Sequence, residues 1–169
     1  SPGPALFRQV RMGRGGRRFE LLKFRGMYAD ARERFPELYA YGSLSPDQAD
    51  AFYFHSGDRQ DPRVTRVGRL IRRWSIDELP NLWNVLKGDM TLVGPRPDIP
   101  ELAHMYGEHL PRFLSVKPGL TSPAKSTGRD ELSFAATLEM DLEYIERRSF
   151  RPDLVTLART AVSLGRGGR

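Results

Sequence analysis

The sequence predicts an α/β fold of the α+β kind: compact, mainly helical, with a small β-hairpin or sheet and amphipathic helices on its surface. Three observations carry this expectation. LFRQVRM and FELLKFR flank the glycine-rich stretch GRGGRR, a hairpin pattern in which glycine supplies positive φ without a Cβ clash. Several of the segments that follow space their apolar residues as helices do. One further stretch, MTLVG, reads as a short strand. The pattern is not that of a doubly wound nucleotide-binding fold.

After the hairpin, Ala29 to Phe35 is a short helix candidate. Ser45 followed by Pro46 marks another start, with Ala49, Phe52 and Tyr53 on one face. SGDRQDPR is polar and carries proline, hence a loop. VTRVGRLIRRW then mixes Arg66, Arg69, Arg72 and Arg73 with Val67, Leu70, Ile71 and Trp74, which describes a basic amphipathic helix. Two placements suit it. In the favoured one it lies in a membrane interface, with Leu70, Ile71 and Trp74 among headgroups and its arginines on anionic lipid. In the other it faces the core and solvates its basic side.

The stretch from Trp74 to Pro97 is the most informative. Asp77 reads as the N-cap of a helix whose start favours the ionised carboxylate. Pro80 falls in the first turn, Leu82, Trp83, Val85 and Leu86 form an apolar face, and Lys87 and Gly88 form the stop. The alternative is a capping box, with Ser75 as N-cap and Glu78 as its third residue, which buries Pro80 deeper in the helix. Met90, Leu92 and Val93 predict a short buried strand, and GPRP a rigid turn after it. Arg96, held between two prolines, projects from that turn in a form suited to bidentate phosphate binding, or else pairs with a nearby acid.

HMYGEHLPRFL and FRPDLVTLARTAVSL mix aromatic, apolar and basic residues. His104 and His109 belong to a surface helix and its end, with no acids at metal-ligand spacing, so neither receives a catalytic role. Phe134, Leu138, Leu142 and Ile145 predict a core-packed helix over Ser133 to Arg147. Pro152 to Leu164 is a last helix, and residues 165–169 read as a disordered tail. No repeats are evident.

The length of 169 residues fits one domain, 1–169, with a modest core. A formal charge of +6 points to anionic partners: nucleotides, lipid phosphates, acidic membrane or nucleic acid. With no cysteine, disulfide frameworks and cysteine-based metal sites are excluded. No apolar run approaches the roughly 20 residues that span a bilayer.

The run DPRVTRVGRLIRRWSIDELPNLWNVLKGDMTLVGPRP, preceded by KFRGM and followed by VKPGLTSPAKSTGRDELSF, resembles the bacterial sugar transferase family. These are the monotopic phosphoglycosyl transferases that begin surface polysaccharide and glycoprotein assembly. The resemblance covers about Pro4 to Leu164. It implies transfer of a sugar 1-phosphate from a nucleotide sugar donor, of the UDP class, to a polyprenyl (undecaprenyl) phosphate acceptor, releasing UMP. Magnesium (Mg2+) is the implied cofactor. By the same resemblance Asp77 is the nucleophile that forms a phosphosugar-aspartyl enzyme. Glu78 is its partner in metal or proton handling, so both are metal candidates. Lys23, Arg96, Arg129 and Asp141 match motif positions for substrate or phosphate binding. Apart from the resemblance, Lys23 reads as a strand end, Arg129 as a loop charge and Asp141 as a solvated helix residue.

Two departures stand out. Gly26 replaces a threonine common in KFRTM, and PGLTSPAKSTGR stands where many members read PGLTGLWQVSGR, putting Ser122, Pro123, Ala124 and Lys125 in place of an apolar pair and a glutamine. Members also carry an N-terminal hydrophobic segment that would end about where SPGPALFRQ begins. The expectation is therefore a truncated catalytic domain whose parent is anchored at the cytoplasmic face of the bacterial inner membrane. An anionic membrane surface joins the expected partners, nucleic acid does not, and self-association as a homodimer is left open. Rival readings are a non-catalytic membrane-surface regulator and a basic nucleic-acid-binding module. The latter lacks any recognised binding motif and explains neither the Asp77–Glu78 dyad nor GPRP.

Overall fold

The computed structural model describes residues 2–52, 61–127 and 132–165. β1 (Leu6–Met12) and β2 (Arg18–Phe24) form the expected antiparallel hairpin, with Leu6 opposite Phe24 and Met12 opposite Arg18. Gly15 and Gly16 turn it at φ of 67° and 77°, a region that L side chains rarely adopt. A second sheet pairs β3 (Thr91–Val93) with β4 (Gly119–Thr121) in parallel. The backbones meet so closely there that a Cβ on Gly119 would lie 2.1 Å from the Gly94 nitrogen.

Helices supply the rest, as the mainly helical expectation requires. α1 (Ala31–Arg34) is a single turn inside the predicted segment. Ser45 and Gln48 close a capping box on a 3-10 turn, Pro46–Gln48. Ala49 and Phe52 pack on the main core, whereas Tyr53 lies outside the described residues. The predicted polar loop SGDRQDPR is described only from Asp61. Its end is not solvated: Asp61 and Arg63 are buried and ion-paired at 2.8 Å, an arrangement that composition cannot distinguish from a surface loop.

α2 (Arg66–Arg73) begins at Thr65, whose hydroxyl accepts the Gly68 N–H at 2.8 Å. It docks through Gly68 so tightly that a Cβ there would lie 1.7 Å from the Gly26 carbonyl oxygen. Its apolar side does not face the core. Val67 is 68% exposed, Leu70 60% and Trp74 43%, with Ile71 half-buried.

The dyad helix differs from expectation. Ser75 adopts left-handed geometry at φ 50°, ending the helical path, and Ile76–Glu78 forms a 3-10 turn. α3 (Asn81–Leu86) starts only after Pro80. Asp77 is therefore not an N-cap, and no side-chain cap is made by Ser75 either. The left-handed Ser75 sets the entry, and the backbone closes tighter rings than an α-helix does, with the Glu78 N–H donating to the Ser75 carbonyl, that of Leu79 to Ile76 and that of Leu82 to Leu79. Of the apolar face expected for α3, Val85 packs on the smaller core but the other three residues do not face inward. Leu82, Trp83 and Leu86 are exposed, and the buried positions are Asn81 and Asn84. Leu92 likewise turns outward from β3.

A long 3-10 segment, Pro100–His109, leads into α4 (Leu110–Phe113), with His104 and His109 exposed as expected. α5 (Pro123–Ser126) follows β4. α6 (Phe134–Arg147) is capped by Ser133 as the periodicity predicts, and α7 (Phe150–Gly165) starts two residues before the predicted proline. The main core gathers Met12, Ile99, Leu102, Met105, Tyr106, Phe113, Phe134 and Leu142. A smaller one joins Phe19, Leu21 and Met90 beneath Val85. No helix among the described residues is long and apolar enough to cross a membrane.

Candidate functional site

The smaller core brings β2 and the dyad together. Asn84 is wholly buried: its side-chain amide donates to the Glu20 carbonyl at 2.8 Å and accepts the Leu22 N–H at 3.2 Å. This staple fixes α3 against β2 one residue before Lys23. The Lys23 ammonium consequently reaches Glu78 Oε1 at 3.1 Å. On the other side the Lys125 ammonium donates to Glu78 Oε2 and, at 3.2 Å, to the Leu120 carbonyl.

Both oxygens of Glu78 are thus engaged by cations. Burial pushes its pKa up, but Lys23 and Lys125 outweigh that and hold it down to about 2. Asp77 behaves differently. Burial raises its carboxyl, with Lys23 opposing and Glu78 adding to the rise. No hydrogen bond or ion pair of its side chain is found among the described residues. Lys23 is itself pushed down by burial against the pull of Glu78, with Lys125, Arg11 and Arg96 adding to the depression.

The GPRP turn is held from three sides. The Gly94 N–H donates to the Thr121 carbonyl at 3.0 Å, the Arg96 N–H to Asp141 Oδ2 at 3.2 Å, and Arg11 to the Pro97 carbonyl at 3.0 Å. Arg96 Nε lies 3.6 Å from Asp98 Oδ1, and its side chain remains 38% exposed. Asp98 is buried, accepts from the Tyr106 hydroxyl and faces Arg11 at 3.9 Å.

Of the residues singled out from sequence, Asp77, Glu78 and Lys23 converge. Arg96 joins the same cationic surroundings, close enough for its charge to act on Lys23. Asp141 is neither a solvated helix residue nor open to a substrate: at 1% exposure it acts on the Arg96 backbone. Arg129 lies outside the described residues. Leu70 and Ile71 sit on α2 and Trp74 directly after it, beside the dyad turn. Sequence reasoning missed Asn84, Arg11, Asp98 and the role of Lys125. The one signal for Lys125 was the departure from the glutamine of the family pattern.

Among the described residues no three His, Asp or Glu side chains are grouped to hold a metal. Glu78 does not fit as a ligand while two ammonium groups occupy its oxygens. Asp77 does fit as a single carboxylate ligand, since magnesium commonly takes one or two carboxylates and completes its shell with phosphate and water.

Among the described residues, then, a carboxylate without a hydrogen-bonded partner lies next to one held by two lysines and near an arginine on a rigid turn, an arrangement chemically suited to phosphate groups. The model of the family described as bacterial sugar transferase matches residues 1–167, and the chain belongs to that family. It is 40% identical over 170 residues to a protein of Streptococcus agalactiae named galactosyl transferase CpsE, covering 99% of this chain and 36% of that protein. It is 37% identical over 167 residues to an undecaprenyl-phosphate galactose phosphotransferase of Salmonella typhimurium, covering 98% and 34%. It is 42% identical over 174 residues to a UDP-glucose:undecaprenyl-phosphate glucose-1-phosphate transferase of Caulobacter vibrioides, covering 97% and 58%. The chain therefore spans from about a third to somewhat over half of these relatives' lengths.

Proposed function

We propose that the chain carries the transfer chemistry of a phosphoglycosyl transferase. It moves a sugar 1-phosphate from a UDP sugar to undecaprenyl phosphate, the first membrane step of a polysaccharide or glycoconjugate, at the cytoplasmic face of the inner membrane. The observation that carries the reading is the unequal dyad: Glu78 is held at both oxygens, and Asp77 has no bonded partner among the described residues. The names of the Salmonella and Caulobacter relatives support the donor and acceptor classes.

In this reading an Asp77 oxygen attacks the phosphorus that bears the sugar. The bond from that phosphorus to the bridging oxygen breaks and UMP leaves, giving an aspartyl phosphosugar. An oxygen of the lipid phosphate then attacks the same phosphorus. The aspartyl bond breaks, regenerating the carboxylate and yielding a polyprenyl diphosphate sugar. Lys23 and Arg96 offset the repulsion between anionic carboxylate and anionic donor. Magnesium, which Asp77 would hold together with donor phosphates, would supply further charge neutralisation when bound.

Intact-protein mass spectrometry tests this after incubation with magnesium and a panel of UDP sugars. A sugar-phosphate adduct is expected on the wild-type protein and not on Asp77→Asn. An adduct that persists on Asp77→Asn excludes Asp77 as nucleophile.

A further inference from the structure

Lys125 occupies the position where the family pattern carries a neutral glutamine, and its surroundings are built rather than incidental. Ser122 caps α5, accepting the Lys125 N–H at 3.2 Å, and Pro123 starts the turn. Ala124 and Ser126 on either side of Lys125 are buried, which fixes the backbone from which it extends. Its ammonium then meets Glu78 Oε2 and the Leu120 carbonyl, while Lys23 takes Glu78 Oε1 from β2.

We infer, on the basis of the transferase reading above, that Lys125 is a positioning residue for the first transfer step: with Lys23 it clamps Glu78 at both oxygens and neutralises it. As Asp77 closes on the donor phosphorus, the crowded anionic transition state then forms beside a neutralised Glu78 rather than beside a second uncompensated carboxylate. A glutamine at position 125 could donate one hydrogen bond to Oε2, but it brings no charge. A charge-assisted bond is roughly twice as strong as a neutral one, and only the charged form offsets the field of Glu78 at the donor. Lys125 thus acts through Glu78, and its contribution belongs to the reacting complex rather than to donor affinity.

The test compares wild type, Lys125→Gln, Lys125→Ala and Lys125→Arg for the rate of sugar-phosphate adduct formation across donor concentrations, with thermal melts confirming folding. Lys125→Gln and Lys125→Ala should lower the saturating rate about tenfold, the weight of one charge-assisted hydrogen bond. The donor KM should stay within about twofold, and Lys125→Arg should restore most of the rate. A wild-type rate in both uncharged variants overturns the proposal, as does an arginine variant as slow as the glutamine one. A loss confined to KM also overturns it, because Lys125 would then contact the donor itself. If the wild-type protein forms no adduct with any donor, the transferase reading fails and takes this proposal with it. A wild-type adduct with unaffected variants removes the proposal alone.

Discussion

The backbone N–H of Arg96 donates to Asp141 Oδ2 at 3.2 Å, joining the GPRP turn to the middle of α6 across 45 residues of sequence. The two prolines fix the turn's own dihedrals, and Asp141 fixes where the turn sits. The other carboxyl oxygen, Oδ1, has no hydrogen-bond partner among the described residues. This is a polar group placed in the core for the sake of one loop.

That placement has a consequence for stability. Burial raises the Asp141 carboxyl from its ordinary 3.8 to about 7, with the Arg96 N–H opposing and Asp98 adding to the rise. Between those two values the folded protein holds a proton that the unfolded chain has released, so stability falls as pH rises through the interval. Asp141→Asn keeps an oxygen acceptor and removes the charge. From pH 5 to pH 8 the wild-type protein should lose about 3 kcal/mol more than this variant, at about 1.4 kcal/mol per pH unit. Urea denaturation at the two pH values measures the difference, and parallel losses would refute the assignment.

Arg96 itself should matter through its guanidinium. Arg96→Ala should reduce kcat/KM for the nucleotide sugar about a hundredfold, the usual scale for removing one preorganised charge from a transition state. Lysine should recover little, because a point charge lacks the planar fork. Adduct kinetics against donor concentration report this. Unchanged kinetics in a folded variant would make the Asp98 contact the residue's whole purpose.

Much of this was legible in sequence, and what was not had identifiable causes. The hairpin around GRGGRR and the Ser133-capped helix follow from local rules, turn chemistry and periodicity, that tertiary contacts reinforce. The dyad's convergence with Lys23 came through family resemblance. Spacing cannot reveal it, since 55 residues separate Lys23 from Glu78. The helix over Asp77 failed because periodicity registers neither the left-handed Ser75 nor the tighter 3-10 rings that follow it. The inward face of α3 was assigned to Leu82, Trp83, Val85 and Leu86 because apolar residues are normally buried. The fold keeps Val85 on the smaller core but otherwise inverts this, burying Asn81 and Asn84 and turning Leu82, Trp83 and Leu86 outward.

Asn84 illustrates what a buried polar side chain contributes. Asn84→Ala would leave the Glu20 carbonyl and the Leu22 N–H without their partner, at a cost of about 2 to 4 kcal/mol. It would also loosen the strand end that carries Lys23. The expected result is a lower urea midpoint together with slower adduct formation under conditions where the variant is still folded. A stability loss with unaltered adduct kinetics would confine Asn84 to holding α3 on β2.

The outward apolar residues make the last prediction. Val67, Leu70 and Trp74 on and after α2 are joined by Leu79, Leu82, Trp83 and Leu86, each more than two-fifths exposed, with Arg66, Arg69 and Arg73 interspersed on α2. Water is a poor neighbour for so many large side chains, whereas a headgroup region accommodates both the apolar residues and the arginines. Leu70→Glu with Trp74→Glu should weaken binding to vesicles containing anionic lipid by roughly a hundredfold, given about 2 to 3 kcal/mol of lost burial. Arg69→Gln with Arg73→Gln should weaken it by about 1 kcal/mol per charge and flatten its salt dependence. Sedimentation with vesicles of graded anionic content measures both. Binding insensitive to Leu70 and Trp74 but sensitive to the arginines would mean that the helix touches the surface without inserting, leaving its apolar side for a protein partner.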